Sequence, residues 1–175
     1  MGLTDKSDQG FSRFYQELFP LVIKISFKIT GSMEAAEDIC QEAFVRFYNH
    51  MDDMKDDNHA KYWIIRVVKN LSFNFEKRKG RERKVFEKLK RQPSKEVENG
   101  EKKLLKQESI DTVQKMLSKL LYKYRVVIVL KEYAHMNYKE IGGILGISEG
   151  NVKIRVFRAR EQLSKLLKED ETYVP

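Results

Sequence analysis

Apolar residues recur along this chain at three- and four-residue steps with no sustained alternation, so the pattern predicts helices throughout. Residues 9–30 place Phe11, Phe14, Leu18, Val22, Ile25 and Ile29 on one helical face. Pro20 interrupts that run. A proline removes a backbone donor and crowds the preceding turn, so two helices are expected, the second starting near Pro20. Thr30-Gly31-Ser32 ends the run, and Ser32 is placed to cap a helix from Met33 to His50, MEAAEDICQEAFVRFYNH. Ala36, Ile39, Ala43 and Phe47 form its narrow inner seam with Cys40 beside it, leaving Glu37, Asp38, Gln41, Glu42 and Arg46 outside. By spacing alone that outer side is a solvated face, with an acidic docking strip as the rival reading. Residues 51–59, MDDMKDDNH, make a polar loop. From Ala60 to Lys79 the helical pattern resumes, with Trp63, Val67, Leu71 and Phe75 directed inward and Tyr62 exposed. Arg66, Lys69, Asn70, Asn74, Lys77 and Arg78 supply cations and amides along the rest of that helix.

Apolar content falls over residues 80–108, which Gly80, Pro93, Ser94 and Gly100 punctuate. This is a linker with helical pieces near 82–91 and from 101 onward, dividing the chain into domains at 1–79 and 109–175. Each is small enough to be only marginally stable alone. Ile110 to His135 holds two further helices that bend at Tyr122 to Arg125. Their apolar residues Val113, Met116, Leu117, Leu120, Val127, Leu130 and Tyr133 would pack on the stretch from Asn137 to Leu167, NYKEIGGILGISEGNVKIRVFRAREQLSKLL. Within it, Ile141, Ile144 and Leu145 give a short first helix one face. Val152, Val156, Ala159, Leu163 and Leu166 give a longer second helix another. Gly146 suits the sharp turn between them, and Ser148 caps the second with Glu149 in its first turn. This is a helix-turn-helix. Opposite its seam the second helix offers Gly150, Asn151, Ile154 and Arg158, flanked by Lys153, Arg155, Phe157 and Arg160, groups able to reach base edges and phosphates.

Charge sharpens the division. The 175 residues carry a formal net charge of +8. Residues 1–75 hold 9 Lys/Arg against 11 Asp/Glu, residues 76–108 hold 13 against 7, and residues 109–175 hold 12 against 8. A near-neutral front and a basic remainder suit nucleic acid together with a protein partner. No apolar run approaches the roughly 18–20 residues that span a bilayer, and no signal-peptide pattern opens the chain. With Cys40 the single cysteine, an intramolecular disulfide is excluded and a cytoplasmic protein is expected. The aspartates of 51–59 do not make an EF-hand loop, which needs Gly and Glu at its sixth and twelfth positions. His50, His59 and His135 stand in no metal-ligand spacing with Cys40 or one another. Without a phosphate loop, nucleophile elbow or zinc-ligand pair, neither a cofactor nor an enzymatic activity is expected.

Two blocks in this order carry a resemblance. ITGSMEAAEDICQEAFVRFYNH with KYWIIRVVKNLSFNFEKRK, and then YKEIGGILGISEGNVKIRVFRAREQL, resemble the second and fourth conserved regions of bacterial extracytoplasmic-function (ECF) sigma factors. The likeness covers roughly residues 11–79 and 110–168. It implies an all-α protein of two small helical domains, a region 2 bundle and a region 4 helix-turn-helix, joined by a basic linker. It further implies partners in core RNA polymerase (the β′ clamp helices and the β flap), promoter DNA and an anti-sigma factor, often membrane-bound. Asp38, Gln41 and Glu42 would dock on the clamp helices, which reverses the solvated-face reading. The loop 51–61 with Tyr62, Arg66, Lys69, Asn70, Asn74, Lys77 and Arg78 would hold the opened −10 element. Asn151, Lys153, Ile154, Arg155, Phe157 and Arg158 would read the −35 element, with Arg160 on phosphate. Ile154 stands where a small polar residue is common, the proline often found before Arg125 is missing, and the linker matches no motif. The rival is a stand-alone helix-turn-helix regulator with a sensory or dimerising front domain, which would bind palindromic duplex without polymerase.

Overall fold

The computed structural model describes residues 7–90 and 105–170, and among them every regular element is helical. The first helix, α1, runs unbroken from Asp8 to Thr30, so Pro20 does not divide it. The reason lies in packing. Phe14, Leu18, Val22, Ile25 and Ile29 form one buried seam across the proline. Pro20 and Gln16, whose carbonyl loses its helical donor, both lie on the exposed side, where water replaces the missing bond. Gly31 ends α1 at φ 71°, donating to the Phe27 carbonyl at 2.7 Å.

Ser32 then caps α2, Met33–His50, by accepting from the Ala35 N–H. All five expected seam residues of α2 are buried, and Phe47 stacks on Phe14 at a centroid distance of 3.9 Å. Burial pushes the Cys40 thiol up to about 12, which makes it a small apolar core group rather than a nucleophile. A single 3₁₀ turn, Met51–Asp53, follows, and buried Met51 and Met54 pin the polar loop to the core.

Asp56 caps α3, which runs from Asp57 to Leu89. Its fully buried residues are Ala60, Ile64, Ile65, Val68 and Ser72. Trp63, Val67, Leu71 and Phe75, expected inward, are half-buried. Because α3 packs on both α1 and α2, the deepest line lies one step round from the aromatic one. Trp63 sits at the edge of that line, its ring 6.0 Å from Phe47 and 5.4 Å from His50. Nor does α3 stop at Lys79. Good helix formers follow Gly80, and of two ion pairs at 3.8 Å, Arg78–Glu82 spans it and Arg83–Glu87 follows it. At about 0.2–0.5 kcal/mol per pair they offset much of the roughly 1 kcal/mol that a helical glycine costs. The rest of the linker and the C-terminal end, residues 91–104 and 171–175, lie outside the described residues.

The second half comprises α4 (Leu105–Lys119), α5 (Tyr122–Glu132), α6 (Tyr138–Leu145) and α7 (Glu149–Glu169). The bend falls at Leu120-Leu121, just before the expected YKYR segment, so Tyr124 and Arg125 are buried inside α5. Val113 is 36% exposed rather than inward. Met116, Leu117, Leu120, Val127 and Leu130 are buried, and Tyr133 is half-buried under the ammonium groups of Lys24 and Lys28. The helix-turn-helix forms as expected. Asn137 and Glu140 close a reciprocal capping box at the start of α6, and Ser148 accepts from the Asn151 N–H at the start of α7. Gly146 takes φ 67°, and both it and Ile147 donate to the Gly142 carbonyl.

The two halves share one contiguous buried cluster, and Arg125 is buried where they meet. Its guanidinium donates to the Ile29 carbonyl and the Glu76 carboxylate, each at 2.7 Å, and to the Ser118 and Leu120 carbonyls, each at 3.0 Å. Replacing it with methionine removes the charge at similar length but leaves Glu76, 19% exposed, without its ion-pair partner. Arg125→Met is therefore expected to destabilise the chain by about 3–5 kcal/mol in urea unfolding; a loss below about 1 kcal/mol would show that water takes over the role. The turn gives a test of sign. A Cβ on Gly142 would lie 2.7 Å from the Ile147 carbonyl oxygen, whereas one on Gly143 meets nothing within 4 Å. Gly143→Ala should raise thermal stability by about 0.5–1 kcal/mol, as alanine does in a helix. Gly142→Ala should lower it by about 1–3 kcal/mol through overpacking.

Candidate nucleic-acid interface

Helical geometry puts the candidate groups of α3 on one broad face. Arg66, Asn70, Asn74 and Lys77 project together at 100° per residue, with Tyr62 and Lys69 on one flank and Arg78 on the other. Arg66, Asn70, Asn74, Lys77 and Arg78 are exposed. Tyr62, expected to be exposed, is half-buried, because the second half of the chain packs over that end of the helix. Its hydroxyl donates to the Glu140 carboxylate, Arg66 Nη2 donates to the Gly143 carbonyl at 3.0 Å, and the Tyr122 hydroxyl donates to the Lys69 carbonyl at 3.2 Å.

These contacts shift the groups involved. The Tyr62 hydrogen bond holds the Glu140 carboxyl below its ordinary value, and the same bond with partial burial pushes the Tyr62 phenol up to about 12. The Tyr62–Glu140 contact therefore stabilises the closed arrangement fully above the ordinary carboxylate pKa and is lost as pH falls through Glu140's lowered value. Burial, with Arg66 nearby, lowers the Lys69 ammonium. The sequence pattern gives no sign of the roles of Glu140 and Gly143 here, and marks Tyr122 and Arg125 only as part of a bend. The N-x-x-E spacing of Asn137 and Glu140 signals the capping box, but nothing local signals the second bond that Glu140 accepts from across the chain.

On α7 the structure brings the expected group together. Asn151, Lys153, Ile154, Phe157, Arg158 and Arg160 are exposed and Arg155 is half-buried. Phe157 is 70% exposed and Ile154 53%, an unusual apolar presence on a basic helix. Several cations are already held: Lys153 by Glu149 at 3.3 Å, and Arg160 by Glu132 at 2.6 Å. Arg158 lies against the Tyr124 hydroxyl and, with Lys123, keeps that phenol below its usual value.

A third surface lies on α2. Asp38, Gln41 and Glu42 are exposed, with Glu42 paired to Arg46. Beside them runs a groove of about 640 Å³ between α1 and α2, floored by Phe11, Tyr15, Phe19, Phe44 and Tyr48. An acidic rim over an aromatic floor suits a basic, partly apolar helix. Among the described residues no cluster of His, Cys, Asp and Glu could hold a metal ion, and no helix is long and apolar enough to cross a membrane.

Two stretches of the chain match known families. Residues 14–82 match the family described as Sigma-70 region 2, and residues 110–163 match Sigma-70, region 4. The chain is 32% identical over 156 residues to the ECF RNA polymerase sigma factor SigW of Bacillus subtilis, covering 85% of this chain and 83% of that one. It is 30% identical over 136 residues to the ECF RNA polymerase sigma-E factor of Escherichia coli, covering 72% and 70%. Among solved structures, CnrH in complex with the cytosolic domain of CnrY shares the fold at a TM-score of 0.74 and 21% identity, covering 96% of this chain and 94% of that one. RpoE in complex with the anti-sigma factor NepR, from Bartonella quintana, does so at 0.67 and 24%, covering 90% and 98%. With region 2 and region 4 present in order and relatives matched along most of their length, the chain belongs to the ECF sigma factors of RNA polymerase.

Proposed function

We propose that this chain gives core RNA polymerase its promoter specificity by binding alone, in the cytoplasm and without covalent chemistry. The observation that carries the reading is the placement of two DNA-competent faces on helices of separate halves, with an acidic docking strip on a third helix. In this reading Asp38, Gln41 and Glu42 dock on the β′ clamp helices, and the helix-turn-helix half engages the β flap. The exposed face of α7 reads the −35 duplex, with Arg158 on a base edge and Ile154 or Phe157 against a thymine methyl. The amides and cations of α3 hold the opened −10 strand, helped by Tyr62 as a stacking surface.

The packing of α6 on α3 supports an order for these steps. The docking strip is exposed while Tyr62 and Arg66 are occupied by α6. Polymerase can therefore be engaged first, and α6 must leave α3 before the −10 strand is held. An anti-sigma factor that favours the closed form would keep the protein inactive, and the solved relative RpoE was captured with one.

Run-off transcription with core polymerase on a genomic fragment library should yield new starts that share paired −10 and −35 sequences only when this protein is added. Asp38→Arg should lower affinity for core while leaving duplex binding by α7 intact. No new starts, together with tight binding of the protein alone to palindromic duplex, would establish the regulator reading instead. Arg158→Ala should cost about 1–3 kcal/mol in promoter binding and relax preference at one −35 position. An equal loss on every −35 sequence would move Arg158 to phosphate.

A further inference from the structure

The extension of α3 beyond Lys79 holds residues assigned to neither DNA-competent face. Residues 81–90 are all exposed, and they carry Arg81, Lys84 and Lys88. At 100° per residue these three fall on the same line as Arg66, Asn70 and Lys77, within about 60° of one another. The acidic residues of this part of the helix stand elsewhere. Glu76 is turned to Arg125, Glu82 to Arg78 and Glu87 to Arg83. The result is an unbroken basic and amide line from Arg66 to Lys88, about 33 Å long at 1.5 Å per residue. That is close to one turn of duplex DNA. The other cations of this stretch, Lys79, Arg83 and Lys90, lie on the opposite side, so what distinguishes the line is that it carries positive charge and no carboxylate.

We infer that Arg81, Lys84 and Lys88 form a phosphate-binding site for the DNA duplex next to the opened −10 strand. The inference rests on the proposed promoter role of α3. Lys77 marks the boundary. Before it, the line offers amides that suit bases; after it, only cations that suit backbone. The contacts are therefore independent of sequence and release counterions on binding.

The test uses full-length protein reconstituted with core polymerase, on a promoter fragment recovered by run-off transcription. Arg81→Gln, Lys84→Gln and Lys88→Gln are combined, since glutamine keeps the helix. A control combines Lys79→Gln, Arg83→Gln and Lys90→Gln, which removes the same charge from the opposite side of α3. The on-line variant should flatten the dependence of log affinity on log salt by about 2.7, roughly 0.9 for each of the three phosphate contacts. Between 50 and 200 mM salt its affinity should thus fall about 40-fold less than wild type's, while the control keeps nearly the full slope. Trimming the DNA back to the −10 strand should abolish the difference between the two variants. Equal slopes for both on the full duplex would overturn the assignment. So would a loss of core affinity at an unchanged DNA slope, which would make the line a protein surface. Failure of wild-type holoenzyme to bind better than core alone would instead remove the promoter reading, and the site with it.

Discussion

The arrangement of both halves depends on one buried guanidinium. Arg125 enters the core from α5 and meets the last turn of α1 at Ile29, the end of α4 at Ser118 and Leu120, and Glu76 of α3. Carbonyls at helix C-termini lack intrahelical donors and carry the negative end of the helix dipole. A cation there satisfies groups that would otherwise be buried unpaired, and it does so for two helices at once. Removing a charged group from water is costly, and four acceptors at the two terminal nitrogens offset that cost although Nε is left without a partner. Gln114 adds to the joint by donating to the Lys28 carbonyl at 3.2 Å. The interface between the halves is therefore polar at its heart and apolar around it. Such an interface can separate, because each of these groups can turn to water or to another partner.

Local chemistry was readable in the sequence to the extent that it was local. The caps at Ser32 and Ser148, the turn at Gly146 and the seams of α2 and α7 follow from residue type and spacing over a few positions. The α7 face followed for the same reason, since a helix with a known buried seam has a known exposed side. Pro20 misled because its local cost was outweighed by five apolar residues buried on either side of it, and Gly80 because ion pairs and good helix formers surround it. Both are cases of a weak local preference overridden by neighbours. Arg125 in YKYRVVIVL was legible only as a charge beside an apolar run. Its acid partner lies 49 residues away in the most highly charged part of the chain, and nothing in spacing selects Glu76 from its neighbours.

Tyr62 shows the same limit at the candidate site. On α3 alone it lies on the flank of a solvent-facing surface, which suits a stacking platform. The structure gives it a carboxylate partner because α6 lies across that end of the helix. Glu140 serves α6 as its capping-box acid and α3 as an acceptor for a face otherwise rich in donors. An acidic group laid against a surface rich in donors offsets them electrostatically, as nucleic acid would on the proposed −10 face. The free protein can then be stable and closed without burying an unpaired cation.

The length of α3 connects these observations. About 50 Å of continuous helix means that the residues packed in the core, those covered by α6 and those in solvent share one rigid axis. Moving α6 away exposes the N-terminal end of the face without disturbing the C-terminal end, which is exposed already. A flexible joint at Gly80 would have decoupled the two. With the helix intact, a duplex held along its distal part would have its opened strand delivered towards Lys77, Asn74 and Asn70 at a fixed distance. Continuity at Gly80 is thus a constraint on geometry as much as on stability. It also explains why an exposed segment that buries nothing retains helix-forming residues and paired charges rather than the glycine and proline of a loose tether.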